Sequence, residues 1–299
     1  MNFFYAYNKF IMIIWIASYP KSGNTWVRCF LSQYFFSNEK KFSFDTLKHI
    51  PNFNVSNFIQ NKKLIKNNLD MTKQWLPVQQ YINQKFKKNL FFKTHNANIN
   101  INGHNFTDSS VSSGCIYIVR DPRNVITSYK NFEDRSYDNV LKFLLDEKSF
   151  LFSDSTTRKK FGIKGIEVLC SWSNHYNSWI HNKQGIPICL VKYESLIIDP
   201  LQEFKKIFNF IKKVNNEKKT KFDEDRAKHI INEISFENMS KQELKGEFSE
   251  NSERKSTLNK FFNQGKDNKW QKLLPENIRV SLEDNFKKEM IELNYLNTN

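Results

Sequence analysis

The sequence predicts an α/β fold in which a mostly parallel central sheet has helices on both faces. The first observation is a set of short apolar runs, each bounded by polar or turn residues: Ile11–Ala17, Leu90–Phe92, Cys115–Val119 and Ile188–Val191. Runs of this length are typical of strands buried on both faces, as in parallel sheets. The second observation is that helical segments fall between the runs, and this alternation indicates a three-layer α/β domain.

Four helices are predicted around these strands. Thr25–Phe36 follows the first strand, Pro122–Phe132 follows the third, Gly165–Asn182 precedes the fourth, and Pro200–Lys213 follows it. Asp121 is the expected N-cap of the second helix, because a capping carboxylate followed by proline is a common helix start.

The remaining segments carry little regular pattern. Residues 38–75 and 133–162 are polar and irregular, and we expect loops or short helices there that cover a site. Residues 240–272 are charged and lack periodicity. Since no internal repeat or Pro/Gly/Ser linker divides the chain, we expect one domain over residues 1–299, with its core in about 11–275.

The net charge of the sequence indicates which classes of ligand are favoured. Lys and Arg total 46 against 31 acidic residues, a net charge of +15, which favours polyanionic ligands. The basic residues are dispersed along the chain, so a nonenzymatic nucleic-acid-binding protein is only a distant alternative.

The cysteines and the N-terminus bear on the compartment. The cysteines are scattered and show no metal-binding or disulfide spacing, which predicts no metal and a reducing, cytoplasmic location. They are Cys29, Cys115, Cys170 and Cys189. The apolar run Phe10–Ala17 is too short to span a bilayer, so we expect a buried strand and no membrane span; Met12 is an alternative start that leaves this strand nearly intact.

A P-loop-like phosphate-binding loop is predicted at Ser18–Trp26, where the first strand meets the first helix. Gly23 allows close backbone approach, and the free N–H groups and dipole of a helix N-terminus bind phosphate. Lys21 adds a charge and Thr25 a hydroxyl donor. The loop departs from the nucleoside-triphosphate pattern, because Lys21 precedes the glycine and Asn24 stands where that pattern has lysine. A P-loop kinase or NTPase is therefore an alternative, as is a plain turn with a solvated lysine.

Arg120 ends the third predicted strand, where its guanidinium could bind a phosphate bidentately. Ser128 lies on the next helix and is expected near the same region. The alternative is a structural ion pair between Arg120 and Asp121. Asp121 also mimics a Mg²⁺-binding aspartate, but Pro122 and the altered loop argue against that role.

His95 is the candidate general base. It follows the run Leu90–Phe92 and lies beside Lys93, at the sheet edge where α/β proteins bind ligands. An ordinary pKa near neutrality suits proton transfer. The other histidines lack such context and are assigned no role: His49, His104, His175, His181 and His229.

The run Tyr19-Pro20-Lys21-Ser22-Gly23-Asn24-Thr25-Trp26 closely resembles the 5′-phosphosulfate loop of the cytosolic-type sulfotransferases. Other elements of that family are matched in order over about residues 11–275. They are Lys93-Thr94-His95, Tyr117–Val125 with Ser128-Tyr129, Tyr193–Leu196 with Asp199-Pro200, Ser235–Met239, and Gly265-Lys266 with Trp270.

The resemblance implies a sulfotransferase that uses 3′-phosphoadenosine 5′-phosphosulfate, leaves adenosine 3′,5′-bisphosphate and needs no metal. The implied reaction is in-line transfer to a hydroxyl or amine of a small-molecule, glycan or lipid acceptor, with His95 as base. Lys21 and Lys93 would offset developing negative charge. The implied cofactor-binding residues are Lys21, Ser22, Gly23, Asn24, Thr25, Trp26, Arg120, Ser128, Tyr193, Phe236, Gly265 and Lys266.

Two points qualify this assignment. By local pattern alone, Trp26, Tyr193 and Phe236 are core or interface aromatics, whereas the resemblance implies contacts with adenine. The family usually has basic residues just before its C-terminal glycine, but here Asn263-Gln264 precede Gly265. The 3′-phosphate would then be held with less charge from this loop, or by a displaced lysine or arginine.

Overall fold

The computed structural model describes residues 12–59, 61–86, 90–152, 155–163, 165–248, 261–262, 265 and 269–297. The strands are β1 (Ile13–Ser18), β2 (Leu90–Thr94), β3 (Asn100–Ile101), β4 (His104–Asn105), β5 (Ser112–Val119), β6 (Phe150–Phe152), β7 (Ile166–Val168) and β8 (Ile188–Lys192). The helices are α1 (Asn24–Phe36), α2 (Asn68–Lys73), α3 (Trp75–Phe86), α4 (Pro122–Glu133), α5 (Tyr137–Leu145), α6 (Ser155–Phe161), α7 (Trp172–Ile180), α8 (Tyr193–Ile198), α9 (Pro200–Val214), α10 (Glu224–Glu233), α11 (Phe236–Leu244), α12 (Trp270–Leu273), α13 (Glu276–Asn285) and α14 (Lys287–Glu292).

The central sheet has the strand order β2-β1-β5-β8, and every pairing in it is parallel. These strands contain the apolar runs found in the sequence, although Ile11 lies outside the described residues. Ala17 pairs with Thr94 of β2 and with Tyr117 of β5. The prediction of an α/β fold with a mostly parallel sheet is confirmed.

The sheet is buried on both faces, which explains its nearly continuous apolar strands. Successive residues of β1 alternate between two cores: Trp15 belongs to the core that includes residues of α3, α5, α7 and α13, whereas Ile14 and Ile16 belong to the core that includes residues of α1, α9 and α10. The first core extends through Leu282 and Met290 into α13 and α14. The start of α4 agrees with the prediction from the sequence, since the side chain of Asp121 caps this helix and Pro122 is its first residue.

One predicted helix is wrong in its first part. Gly165–Asn182 was expected to be helical, but residues 166–168 form β7, which pairs antiparallel with β6, and α7 begins only at Trp172. The side chain of Ser171 accepts from the backbone N–H of Asn174 and so caps α7. The β-branched Ile166 and Val168 favour the strand once the distant partner β6 is available.

The irregular segments contain short elements of regular structure. Residues 38–75 form three short 3₁₀-helices (Phe44–His49, Val55–Asn57 and Lys62–Leu64) and α2. Residues 133–162 contain α5, β6 and α6. No helix within the described ranges has the length and apolar character needed to cross a membrane.

Candidate active site

The site lies where the strands of the parallel sheet end. The last residues of β1, β2, β5 and β8 are Ser18, Thr94, Val119 and Lys192. Parallel strands present their carboxyl ends at one edge, and this edge is where open α/β sheets bind ligands. The residues that follow these strands are the loop 19–23, His95, Arg120 and Tyr193, so most of the predicted site residues meet at one edge.

The loop between β1 and α1 has the backbone of a tight turn. Gly23 has φ 96°, and Lys21 is also left-handed, with φ 66°. A Cβ atom added to Gly23 would lie 2.4 Å from Cδ2 of the Tyr193 ring. Only glycine therefore fits here, because both the backbone angle and the aromatic ring exclude a side chain.

The polar side chains of this loop divide into two groups. The amide Nδ2 of Asn24 donates to the carbonyl of Ile16 at 3.1 Å and to Oγ of Ser18 at 3.2 Å, so it ties the helix start to β1. Ser22 and Thr25 are buried, and the Ser22 hydroxyl has no hydrogen-bond partner among the described residues. The Ser22 hydroxyl is thus a buried polar group that a ligand could satisfy.

His95 is fixed by hydrogen bonds on its side chain and on both sides of its backbone. Its Nδ1 lies 2.7 Å from the carbonyl oxygen of Ser18. Its backbone N–H donates to Oε1 of Glu167 at 3.2 Å, and its carbonyl accepts from Nε2 of His175 at 3.1 Å. The hydroxyl of Tyr117 in turn donates to Nδ1 of His175 at 2.8 Å.

These bonds determine which ring nitrogen of His95 has the proton. A carbonyl oxygen can only accept, so Nδ1 is the donor to Ser18 and Nε2 of the neutral ring has a free lone pair. Burial, the positive charge of Lys93 and the neighbouring His175 lower the pKa of His95 well below its ordinary value, despite the opposing bond to Ser18. The ring is therefore neutral near pH 7, as a general base must be.

Of the two predicted lysines, Lys21 lies within the loop and Lys93 lies in β2. The ammonium of Lys21 lies 3.7 Å from the ring centroid of Phe132 and 4.2 Å from that of Phe261. These distances are typical of cation–π contacts. Lys93 bonds to the segment before Phe53 through its backbone, with its N–H donating to Pro51 and its carbonyl accepting from Phe53.

Arg120 does not form the ion pair with Asp121 that was the structural alternative. Its Nη1 donates to the carbonyl of Lys21 at 3.0 Å, and its guanidinium lies 4.2 Å from the centroid of the Tyr193 ring. The Asp121 carboxylate instead binds Arg123 bidentately, at 3.0 and 2.7 Å. Arg123 also reaches Glu283 of α13 at 2.7 Å, so the Asp121–Arg123 pair joins α4 to the C-terminal helices.

A cavity of about 360 Å³ opens beside Arg120 and Tyr193. Gly265 lines it, and the ring of Phe236 packs against that glycine, where an added Cβ would lie 2.7 Å from the ring. Trp26 makes an edge contact with Tyr193, with ring centroids 6.2 Å apart. The cavity lining within the described chain does not include Ser128 on α4, and Lys266 lies outside the described residues.

Sequence reasoning missed several residues that contact the site. Glu167 and His175 hold the backbone of His95, although His175 had been assigned no role. Asn124, Lys269 and Lys272 line the cavity. Only Asn124 had a usable signal, since it lies in the first turn of α4, four residues after Arg120.

The comparisons with known proteins agree on one family. The model of the sulfotransferase domain family matches residues 13–294. Mouse sulfotransferase 1B1 is 30% identical over 129 residues, which cover 43% of this chain and 38% of the relative. The amine sulfotransferase of Oryctolagus cuniculus is 25% identical over 231 residues, 76% of this chain and 62% of the relative. The chain thus matches less than two thirds of the length of either relative.

Solved structures share the fold at low identity. A mouse sulfotransferase, SULT7A1, complexed with PAP has a TM-score of 0.54 at 15% identity and covers 95% of this chain and 86% of its own. A retinol dehydratase in a complex with retinol and PAP has a TM-score of 0.59 at 15% identity, covering 95% and 82%. The family match extends over nearly the whole sheet, the loop and the His95 segment, and the chain therefore belongs to the sulfotransferase family.

Proposed function

We propose that this chain transfers a sulfuryl group from 3′-phosphoadenosine 5′-phosphosulfate to an acceptor hydroxyl or amine. The observation that carries this proposal is the His95 ring, whose Nδ1 is bonded to the Ser18 carbonyl and whose Nε2 has no hydrogen bond to any described residue. Family membership supports this reaction over nucleotide phosphorylation or nucleic-acid binding. When bound, the donor supplies the sulfuryl group and leaves as adenosine 3′,5′-bisphosphate.

His95 takes the acceptor proton in this mechanism. The free lone pair of Nε2 accepts the hydroxyl proton while the acceptor oxygen becomes the nucleophile. The bond from Nδ1 to Ser18 holds the ring so that Nε2 keeps this role. Glu167 and His175 act through His95, because they hold its backbone N–H and carbonyl and so keep its position.

The residues around the loop fit a nucleotide with charged groups. The buried donors that have no partner among the described residues include the Ser22 hydroxyl, Nε1 of Trp26 and Nε of Arg120. Buried polar atoms of this kind are normally satisfied, so they indicate a polar ligand. The backbone of Ser22–Thr25 at the start of α1 would hold the 5′-phosphate, because helix N-termini bind anions.

The other predicted residues have supporting roles in the proposal. Arg120 and Ser128 would hold the 3′-phosphate. Trp26, Tyr193 and Phe236 would contact adenine, and Gly265 would allow the close approach. Asn24 would support the loop from beneath, since its amide is bonded to β1. Lys21 and Lys93 would offset the negative charge that develops on the leaving phosphate and on the sulfuryl oxygens.

The acceptor is proposed to enter between the segments 38–75 and 133–162. A buried polar cluster joins them, in which Nδ2 of Asn54 donates to Oγ1 of Thr157 at 3.2 Å and Thr157 donates to Oγ of Ser56 at 3.0 Å. Lys160 adds bonds to the carbonyls of Ser56 and Ile59. A small-molecule, glycan or lipid alcohol is the proposed acceptor class, and the four buried free thiols favour the cytoplasm as the compartment.

The experiment is a screen of hydroxyl and amine acceptors with ³⁵S-labelled donor, in which product is identified by mass spectrometry. We expect labelled product from at least one acceptor class. In parallel, calorimetric titration should show tighter binding of adenosine 3′,5′-bisphosphate than of ATP with Mg²⁺. Tighter binding of ATP, together with no labelled product, would contradict the proposal.

A further inference from the structure

The cavity beside Arg120 contains a surplus of positive side chains. Arg120, Lys269 and Lys272 line it, whereas Glu194 is the acidic residue of the lining. Both carboxylate oxygens of Glu194 already accept hydrogen bonds, one from the backbone N–H of Asp121 at 3.0 Å and one from the Tyr295 hydroxyl at 2.7 Å. The cavity is therefore suited to an anion.

The guanidinium of Arg120 is a direct binding partner for such an anion. Its side chain is buried, with 6% of the residue exposed. One of its donors is used on the Lys21 carbonyl, yet Nε has no partner among the described residues. A buried guanidinium donor left unpaired costs free energy, and an anion in the cavity would remove that cost.

Lys269 and Lys272 are held at the cavity by the short helix α12. Lys269 is its N-cap and Lys272 is in its last turn. The backbone N–H of Trp270 donates to Oδ1 of Asn124 at 3.0 Å, and the Arg123 guanidinium lies 4.0 Å from the centroid of the Trp270 ring. These contacts fix α12 against α4, while both lysine side chains stay exposed and form no ion pair with any described carboxylate.

We propose that Lys269 and Lys272 supply the positive charge that recognises the 3′-phosphate of the donor nucleotide. This inference rests on the proposed function. The backbone amides of Ser22–Thr25 can serve one phosphate, and a second phosphate needs cations elsewhere. The residues before Gly265 are the uncharged Asn263 and Gln264, so they cannot provide them. Arg120 binds the phosphate from within the protein, and the two lysines of α12 close on it from the solvent side.

The test compares adenosine 3′,5′-bisphosphate with adenosine 5′-monophosphate by calorimetry, because the two nucleotides differ only in the 3′-phosphate. The variant is the double substitution Lys269→Gln and Lys272→Gln. We expect its affinity for the bisphosphate to fall about tenfold or more, and its affinity for the monophosphate to change by less than about twofold. The control is Lys228→Gln with Lys288→Gln, which removes the same charge from exposed sites outside the cavity and should preserve both affinities.

The outcomes separate this inference from the proposed function. If the double variant keeps the wild-type preference for the bisphosphate, or loses affinity for both nucleotides equally, the inference is overturned while sulfuryl transfer stands. If the wild-type chain binds neither nucleotide and transfers no label, the proposed function fails. Thermal unfolding without ligand should be the same for wild type and variant, since neither lysine is buried.

Discussion

The two ends of the candidate site are constructed differently. Around His95, the polar groups are bonded to one another: Ser18, Glu167 and His175 hold its ring, N–H and carbonyl. Around the cavity, the cations keep donors available: Nε of Arg120 has no partner in the part of the chain that the structure describes, and the lysines of α12 are exposed.

The difference indicates that the two ends are suited to different tasks, proton transfer at one and recognition of a charged group at the other. Proton transfer needs one nitrogen in one place, so rigidity around His95 is useful. Recognition of a charged group needs donors that are still available, and bonds among protein groups would remove them.

The largest effect is expected from His95→Ala. Removal of the base should lower kcat by about 100- to 10,000-fold, because a positioned acid or base contributes that much. Binding of adenosine 3′,5′-bisphosphate should change little, since the ring bonds to Ser18 and does not line the cavity.

The control for this substitution is His95→Asn, whose amide nitrogen can still donate to the Ser18 carbonyl but which lacks a base. It should be as inactive as the alanine variant. Turnover near the wild-type value in either variant, measured with labelled donor, would remove His95 as the base.

The second effect concerns the phosphate loop. Gly23→Ala should lower the free energy of unfolding by about 2–3 kcal/mol, because it adds a left-handed alanine and a clash with the Tyr193 ring. The matched control is Gly103→Ala, since that glycine has φ +87° and no atom within 4 Å of an added Cβ. Its cost should be about 1 kcal/mol from the backbone alone.

Urea unfolding and nucleotide titration measure the difference between the two glycine variants. Equal stability of Gly23→Ala and Gly103→Ala would show that the Tyr193 ring moves aside freely, and that this end of the site is less rigid than the contact indicates.

The third effect is loss of stability in acid. Burial lowers the pKa of His175 to about 3, whereas the unfolded chain takes up this proton near pH 6.5. The unfolded state therefore binds more protons between these values, and the free energy of unfolding falls as the pH falls. The decrease between pH 8 and pH 5 should be about 2 kcal/mol for His175. His95 adds to it in the same direction.

The variant His175→Gln tests this assignment, because glutamine does not titrate. Urea unfolding at several pH values should show a smaller acid loss than in the wild type. An identical pH dependence would mean that other groups are responsible.

The smallest effect is on catalysis through His175. Replacement by leucine removes the bond to the His95 carbonyl, and kcat should fall about tenfold, or about 1.4 kcal/mol. The amide nitrogen of glutamine can replace Nε2, so His175→Gln should recover most of the rate. Nucleotide affinity and the acceptor KM should stay near wild type in both; equal rates for leucine and glutamine would contradict a positioning role.

Much of the fold could be predicted from the sequence because the patterns that indicate it are local. The apolar runs predicted the parallel sheet, and Asp121-Pro122 predicted the start of α4. The error at Gly165 had a non-local cause, because β7 is a strand only through its pairing with β6. In that pairing Phe150 lies opposite Val168 and Phe152 lies opposite Ile166.

Part of the candidate site could be predicted from the sequence for the same reason. Lys21, His95 and Arg120 each follow a strand, and the sequence shows where strands end. Glu167 and His175 reach His95 from β7 and α7, whose packing no local pattern reveals. Lys269 and Lys272 lie in a stretch rich in lysine, where the residues that face a cavity look like those that face water.

The register between β1 and β2 determines which residues are neighbours where the two strands end. Ala17 pairs with Thr94, so Ser18 and His95 occupy the next positions side by side. An insertion of one residue within β2 would advance His95 by about 3.3 Å and turn its side chain to the other face. The bond to Ser18 would then be lost without any change in the residues of the site. We therefore expect related chains to tolerate substitutions in these strands more readily than insertions or deletions.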